Sequence, residues 1–331
     1  MMGNILDIEG VKIGQVSDFE NGTGCSVIIF EKNAVAGVNV CGFASGTREL
    51  DVLSPYHITP GINAICLAGG SAFGLASADG VMKYLEEQGI GYPARVAVVP
   101  IVPGAIIFDL SFKSSKVRPN AEMGYKACQL ARSDYMEQGS VGAGTGASVG
   151  KLFGQKSAVK SGIGSASIIM EDGLIVSAVC VVNNFGDVLD YQTGEILAGT
   201  RNPETNEFID ITRILAGMKK PLEVSIGENT NLAVVITNAK LDKVRANQLA
   251  KLAEAGLART LSPVHSTFDG DIIFAVSTGE FQAEINRLGI LSAEVLARAV
   301  NNALIYANGL GALPALKDLN PELVQRKIEE G

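Results

Sequence analysis

The chain has 331 residues, 47% of them hydrophobic, 19% charged and 38 of them glycine, which excludes a disordered polymer and implies one large or two ordinary cores joined by tight turns. The formal charge is −8 with no Lys/Arg-rich run, which argues against nucleic-acid and anionic-membrane partners. The start, MMGNILDIEGVKIG, lacks the basic and apolar regions of a secretory leader, and the longest charge-free apolar stretch, Val96 to Phe108, carries Pro100 and Pro103 and is too short for a bilayer. A cytoplasmic location is therefore expected.

In chain order, CSVIIF and AVAGVNVCG flank Glu31-Lys32-Asn33 and predict a hairpin. NAICLAGG is a buried strand that turns through Gly69-Gly70 into the helix ASADGVMKYLEEQ. Met123, Ala127, Leu130, Ala131 and Tyr135 form one stripe at helical spacing. SASIIM and LIVSAVCVV flank Glu171-Asp172-Gly173, where Asp-Gly signals a hairpin turn. Leu197 to Asp210 reads as a polar loop, and NLAVVITNA and DIIFAVST as two further strands. Between those strands Leu249, Leu252, Ala253, Leu257 and Leu261 make a second helical stripe. A helix from Ser292 to about Asn308 is apolar nearly all round, as a buried element is, and PELVQRKIEEG closes the chain as a solvated helix. Hairpins mixed with long helices, without repeat or linker, predict α+β layers within a single domain, 1–331.

The five cysteines are scattered without a CxxC and read as buried thiols. Only His57 and His265 are available to a histidine-dependent triad or a metal site, and no Cys/His spacing suits zinc, so no metal is expected. LAGGSAFGL misses the nucleophile elbow because Phe73 replaces its second glycine. Its turn at Gly69, Gly70 and Ser71 still offers N–H groups at a helix start for an anion or a carbonyl oxygen. VGAGTGASVGK, ending on Lys151, fits G-x-G-x-x-A, but a helix precedes it where a dinucleotide fold needs a strand. Asp269-Gly270-Asp271 places two carboxylates at a strand entry.

In IGENTNLAVVITNA, Thr230 stands just before a buried run. A threonine hydroxyl is a weak nucleophile without an adjacent base, and a terminal threonine carries one in its α-amine, with a pKa of roughly 7.7–8.0. An internal threonine has only an amide there. Cleavage between Asn229 and Thr230 would thus switch such a group on, although this stretch alone favours the commoner reading, a polar turn before a strand.

Seven stretches in order, AGVNVCGFASGTRELDVL, NAICLAGGSAFGLASADGVMKYLEEQGIGYP, VPGAIIFDLS, GAGTGASVGK, VVNNFGDVLD, GENTNLAVVITNA and PVHSTFDGDIIFAVSTG, resemble the DmpA/β-aminopeptidase family of self-cleaving N-terminal-nucleophile hydrolases, which includes nylon-oligomer hydrolase and a pantetheine-cleaving amidase. The resemblance implies a four-layer α/β/β/α sandwich, self-cleavage into 1–229 and 230–331, a tetramer of such heterodimers, no cofactor, and a small peptide or amide as substrate. It implies Thr230 as nucleophile, Asn184 (with Asn183 beside it) in the oxyanion hole, Lys151 in the active site, and Asp269 and Asp271 near the freed amine. Phe108 stands where some relatives have a tyrosine that borders the substrate. The alternatives are a non-catalytic small-molecule or nucleotide binder using the glycine loops, and a serine hydrolase built on Ser71 with one of the histidines.

Overall fold

Runs rich in Val, Ile and Ala become strands whose two faces are both buried. The computed structural model describes residues 5–219 and 229–330. Its main strands are Val11–Asp18 (β1), Thr23–Val40 (β2), Gly46–Arg48 (β3), Ile62–Ala68 (β4), Gly104–Ile106 (β5), Ile163–Ile169 (β6), Ile175–Val181 (β7), Leu232–Ala239 (β8) and Ile272–Phe281 (β9). The main helices are Ser77–Glu87 (α1), Ala121–Gln129 (α2), Lys243–Ala258 (α3) and Ile285–Ile305 (α4).

The hairpin expected at Glu31-Lys32-Asn33 does not form; β2 is one strand of 18 residues. The triplet has no glycine or proline to reverse the chain. Its side chains are exposed where the strand passes from one sheet to another. The first part of β2 pairs with β1 and β4, and its last residues, Val35 to Val40, pair with β9. One sheet thus contains β1, β2, β4, β5 and β3; the other runs β6-β7-β8-β9 and ends on the far part of β2.

Side-chain alternation sorts these strands into layers. Leu232, Val234 and Ile236 of β8, with Ile272 and Phe274 of β9, meet Ile28 and Phe30 of β2 and Ile65 and Leu67 of β4 between the sheets. Their neighbours Ala233, Val235, Ile273 and Ala275 point outward onto Leu249 and Ala253 of α3 and Leu296 and Val300 of α4. On the other side, Val27, Ile29, Ala64 and Cys66 meet Val81 and Leu85 of α1 and Ala127 of α2. The order is helix, sheet, sheet, helix, the expected four-layer sandwich. By length and composition α4 could cross a membrane, yet it is largely buried against the sheet as a core helix.

The Asp172-Gly173 hairpin joins β6 to β7 as predicted, with Gly173 at φ +89°. The α2 stripe is shorter than predicted. After Gln129 the chain is diverted into a bridge in which Ile13 and Arg132 exchange backbone hydrogen bonds, leaving Leu130 and Tyr135 exposed. Leu261 likewise lies beyond α3, in a two-residue strand.

Candidate active site

Three strand ends meet at one edge of the second sheet because of how the strands run. β7 is antiparallel to β8, with Val181 opposite Leu232, and β8 is parallel to β9, with Leu232 opposite Ile272. The residues after β7 (Asn183, Asn184), before β8 (Asn229, Thr230, Asn231) and before β9 (Asp269, Gly270, Asp271) are therefore neighbours. All but Gly270, a buried glycine, are polar or charged side chains almost wholly withdrawn from solvent. Gly227 and Glu228 of the same motif lie outside the described residues.

Thr230 is held at both of its polar atoms. Its N–H donates to the Asn183 carbonyl at 3.0 Å, and its hydroxyl Oγ1 donates to the Asn229 carbonyl at 2.5 Å. That carbonyl also accepts the Gly270 N–H at 2.9 Å. Gly270 must be a glycine here: a Cβ would stand 2.5 Å from the Ala44 carbonyl and 2.8 Å from Thr230 Oγ1. Among the described residues no imidazole or carboxylate bonds the Thr230 hydroxyl.

Asn183 joins the surrounding groups. Its Oδ1 accepts Lys151 Nζ at 2.7 Å and the Ser148 N–H at 3.1 Å, and its Nδ2 donates to the Phe108 carbonyl at 3.0 Å. Asn184 lies one step back: its Oδ1 accepts Asn231 Nδ2 at 3.2 Å and its Nδ2 donates to the Asp187 carbonyl at 3.4 Å. Asn231 links both to Asp271. Its Oδ1 accepts the Asn183 N–H at 3.1 Å, while its own N–H and Nδ2 both donate to Asp271 Oδ1 at 2.8 Å.

Asp269 pairs with Asn229 in a parallel bridge and accepts from the Ser266 N–H and hydroxyl and, at 3.4 Å, from the Phe185 N–H. Burial, then the charge of Asp271, raises its pKa, against the Ser266 and Phe185 hydrogen bonds and the charge of Lys151. Asp271 Oδ2 lies 2.8 Å from His265 Nδ1. Burial alone would lower the His265 pKa, but the hydrogen bond and charge of Asp271, with Glu254 and Asp269, outweigh it and raise the value.

The structure thus gathers Asn229, Thr230, Asn184, Lys151, Asp269 and Asp271, with Phe108 contributing its carbonyl. It does not supply the free N–H groups expected at the glycine turn: Gly69 donates to the Gly24 carbonyl, Gly70 to Asp109 Oδ1 and Ser71 to the Ile107 carbonyl. The second glycine loop is closed as well. Gly142 N–H donates to the Ser17 hydroxyl and Ala143 N–H to the Ser26 hydroxyl, while the Gly144 and Ala147 carbonyls accept the fully buried Lys160 ammonium. With those N–H donors spent and the ammonium committed to carbonyls, the loop offers no phosphate cradle among the described residues. Neither histidine bonds Ser71 among the described residues, and His57 is exposed. Sequence reasoning missed Asn231 and Gly270 as site residues: one follows Thr230 and the other lies between the two aspartates, places where Asn and Gly signal no more than a turn.

A model of peptidase family S58 matches residues 3–313. An uncharacterised aminopeptidase of Mycobacterium leprae is 36% identical over 97% of this chain and 95% of its own length. A 6-aminohexanoate-oligomer endohydrolase of a Kocuria strain is 31% identical, covering 90% of this chain and 85% of that one. Among solved structures, the L-aminopeptidase D-Ala-esterase/amidase of Ochrobactrum anthropi, a variant of the Ntn hydrolase fold, superimposes with a TM-score of 0.72 over 99% of this chain and 96% of that one at 17% identity. A Burkholderia β-aminopeptidase gives 0.68 at 20% identity, covering 98% and 94%. At those identities the two structures speak to the fold.

Proposed function

This chain belongs to peptidase family S58 and is a hydrolase acting on amide bonds, and we propose that it makes its own nucleophile by cutting the Asn229–Thr230 bond. The observation that carries this is the contact of Thr230 Oγ1 with the Asn229 carbonyl group, whose oxygen also holds the Gly270 N–H. In the self-cleavage step Oγ1 attacks the Asn229 carbonyl carbon. The Gly270 N–H stabilises the negative charge that develops on the oxygen, the C–N bond breaks, and the hydroxyl proton passes to the departing Thr230 nitrogen. Water then hydrolyses the ester, leaving an Asn229 carboxylate and a Thr230 with a free α-amine.

That amine answers the question left by the hydroxyl, which has no side-chain base beside it among the described residues. Freed, it is the general base for Oγ1, and the Asn183 carbonyl already stands 3.0 Å from its nitrogen. Oγ1 then attacks the substrate carbonyl, the amine returns the proton to the leaving amine, and water releases the acid from the acyl-enzyme. Lys151 acts through Asn183, and Asp271 acts through Asn231; both position rather than react. Asn184 is our candidate for oxyanion contact with the substrate. Substrates are short linear amides, of the aminopeptidase type or with an ω-amino acid on the acyl side. A cytoplasmic tetramer of cleaved heterodimers belongs to the same proposal.

Denaturing mass spectrometry tests it. Two fragments meeting at Asn229/Thr230 are expected, and Thr230→Ala is expected to stay uncut and lose activity by at least about 10³-fold. A single 34.6 kDa chain in fully active protein would overturn the reading.

A further inference from the structure

Three side chains from distant parts of the chain converge behind the carboxylates: Cys41, just past β2; Glu254, on α3; and His265, in the loop before β9. Their ligand atoms all lie within 4.8 Å of one another, and His265 Nε2 is 3.4 Å from Glu254 Oε1. We propose that Cys41, Glu254 and His265 form a binding site for a divalent transition ion of the zinc class.

Two of the three ligands are already aimed, and the third, the Cys41 thiol, donates to the Asn39 carbonyl at 3.7 Å. His265 Nδ1 faces Asp271 Oδ2 at 2.8 Å, which turns Nε2 toward the cluster, and that buried Nε2 has no hydrogen-bond partner among the described residues. An ion bound between this nitrogen and Glu254 Oε1 would give it the partner it lacks. Carboxylate, imidazole and metal in line is the common way proteins fix a metal-binding histidine. Glu254 is oriented similarly: Asn39 Nδ2 holds its Oε2 at 2.9 Å, leaving Oε1 for the cluster. The Cys41 N–H donates to the Asp271 carbonyl at 2.9 Å, which fixes its backbone.

Bonds of about 2.0–2.3 Å to a tetrahedral ion place ligand atoms roughly 3.2–3.8 Å apart. The imidazole–carboxylate separation already fits, and Cys41 Sγ, within 4.8 Å of both partner atoms, needs to close by no more than about 1 Å. One sulfur, one nitrogen and one carboxylate oxygen select zinc or cobalt over magnesium and calcium, which prefer all-oxygen shells. The half-exposed Glu254 side chain opens the site to solvent, and three protein ligands leave a fourth position for water. The thiol proton is released to solvent as the ion binds. The site lies apart from the reacting bond but touches its support, because Asp271 holds His265 with one oxygen and Asn231 with the other.

The test uses reduced, chelator-stripped full-length protein titrated with Co²⁺. One equivalent should produce a thiolate-to-cobalt charge-transfer band in the near ultraviolet, which Zn²⁺ then displaces and Mg²⁺ does not. Cys41→Ser should lose the band and bind at least about tenfold more weakly, with amide hydrolysis in metal-free buffer unchanged. Glu254→Gln, which can still accept from Asn39, should keep the band at reduced affinity. No band in the parent protein, or a band that survives Cys41→Ser, would overturn the proposal.

Discussion

Two buried lysines on one stretch of chain have opposite surroundings. Lys160 is wholly enclosed, and its ammonium donates to three carbonyls, those of Gly144, Ala147 and Ser161, at 2.6–3.1 Å. Burial pushes its pKa well down, and the charge of Asp109 opposes this. Lys151 instead contacts Asn183, whose carbonyl in turn holds the Thr230 N–H. The first cation stitches a glycine loop into the core, and the second is coupled to the reacting bond. Burial of a charge therefore says little about its role; the identity of its acceptors says more.

The largest effect should come from the stitching lysine. Lys160→Met removes one hydrogen bond from each of three buried carbonyls, which keep their other donors (the Ala147 N–H, the Ser161 N–H and the Ser140 hydroxyl), a loss of about 1 kcal/mol or more per bond. A loss of about 3 kcal/mol or more in urea unfolding is expected, with whatever folds still cut at Asn229. Failure of self-cleavage in a folded, stable Lys160→Met protein would break the contrast.

Next comes a pH effect in the same region. Burial pushes the Asp109 carboxyl up from 3.8 to about 6, against hydrogen bonds from the Gly70 N–H and the Thr23 hydroxyl. The folded protein then holds a proton that the unfolded chain has released. This contribution is fully present below about pH 4 and is lost as pH rises through about 6, a difference of ~3 kcal/mol across the window. Asn at this position mimics the protonated acid. Asp109→Asn should therefore flatten the fall of the urea midpoint between these pH values, while the raised carboxyls of Asp187 and Asp269 contribute alike to both proteins. An equal slope in parent and variant would rule Asp109 out as the source.

What was legible in the sequence follows from the same distinction between local signal and long-range register. Apolar runs and the Asp172-Gly173 turn are local, and they became β6, β7, β8 and β9 where expected. The ordered motifs likewise placed Thr230, Asn184, Lys151 and the Asp pair in one neighbourhood. Asn231 and Gly270 carried no such mark, because an Asn at a strand start and a Gly between two Asp residues are ordinary turn formers. Their role arises only when β8 and β9 lie side by side and bring their starts together. Cys41 and His265 look unrelated by spacing for the same reason, since the pairing of β2 with β9 is what joins them. The passage of β2 between two sheets is another long-range outcome: a charged triplet that reads as a turn is tolerated in a strand where no neighbour covers it.

The nucleophile-coupled lysine should show a smaller effect, on rate rather than stability. Lys151→Met removes the 2.7 Å hydrogen bond to Asn183 Oδ1 and should slow self-cleavage by about a hundredfold, ~2.7 kcal/mol. Its unfolding free energy should change by only about 1 kcal/mol. Time-resolved mass spectrometry of newly made protein measures the first and urea titration the second. A large stability loss with a normal cleavage rate would make Lys151 a second Lys160.

The smallest effect is expected at Phe108. What this residue gives the site is its backbone carbonyl, which accepts Asn183 Nδ2 at 3.0 Å, and a tyrosine keeps that carbonyl in place. Phe108→Tyr should therefore cleave itself completely, because the Asn183 framework that holds Thr230 and Lys151 is untouched. Its half-buried ring would gain one hydroxyl, able to act only on a bound substrate. Hydrolysis of a panel of amides varied on the acyl side should then shift in preference by less than about tenfold, or ~1.4 kcal/mol. If Phe108→Tyr failed to cleave, the ring rather than the carbonyl would be what positions Asn183.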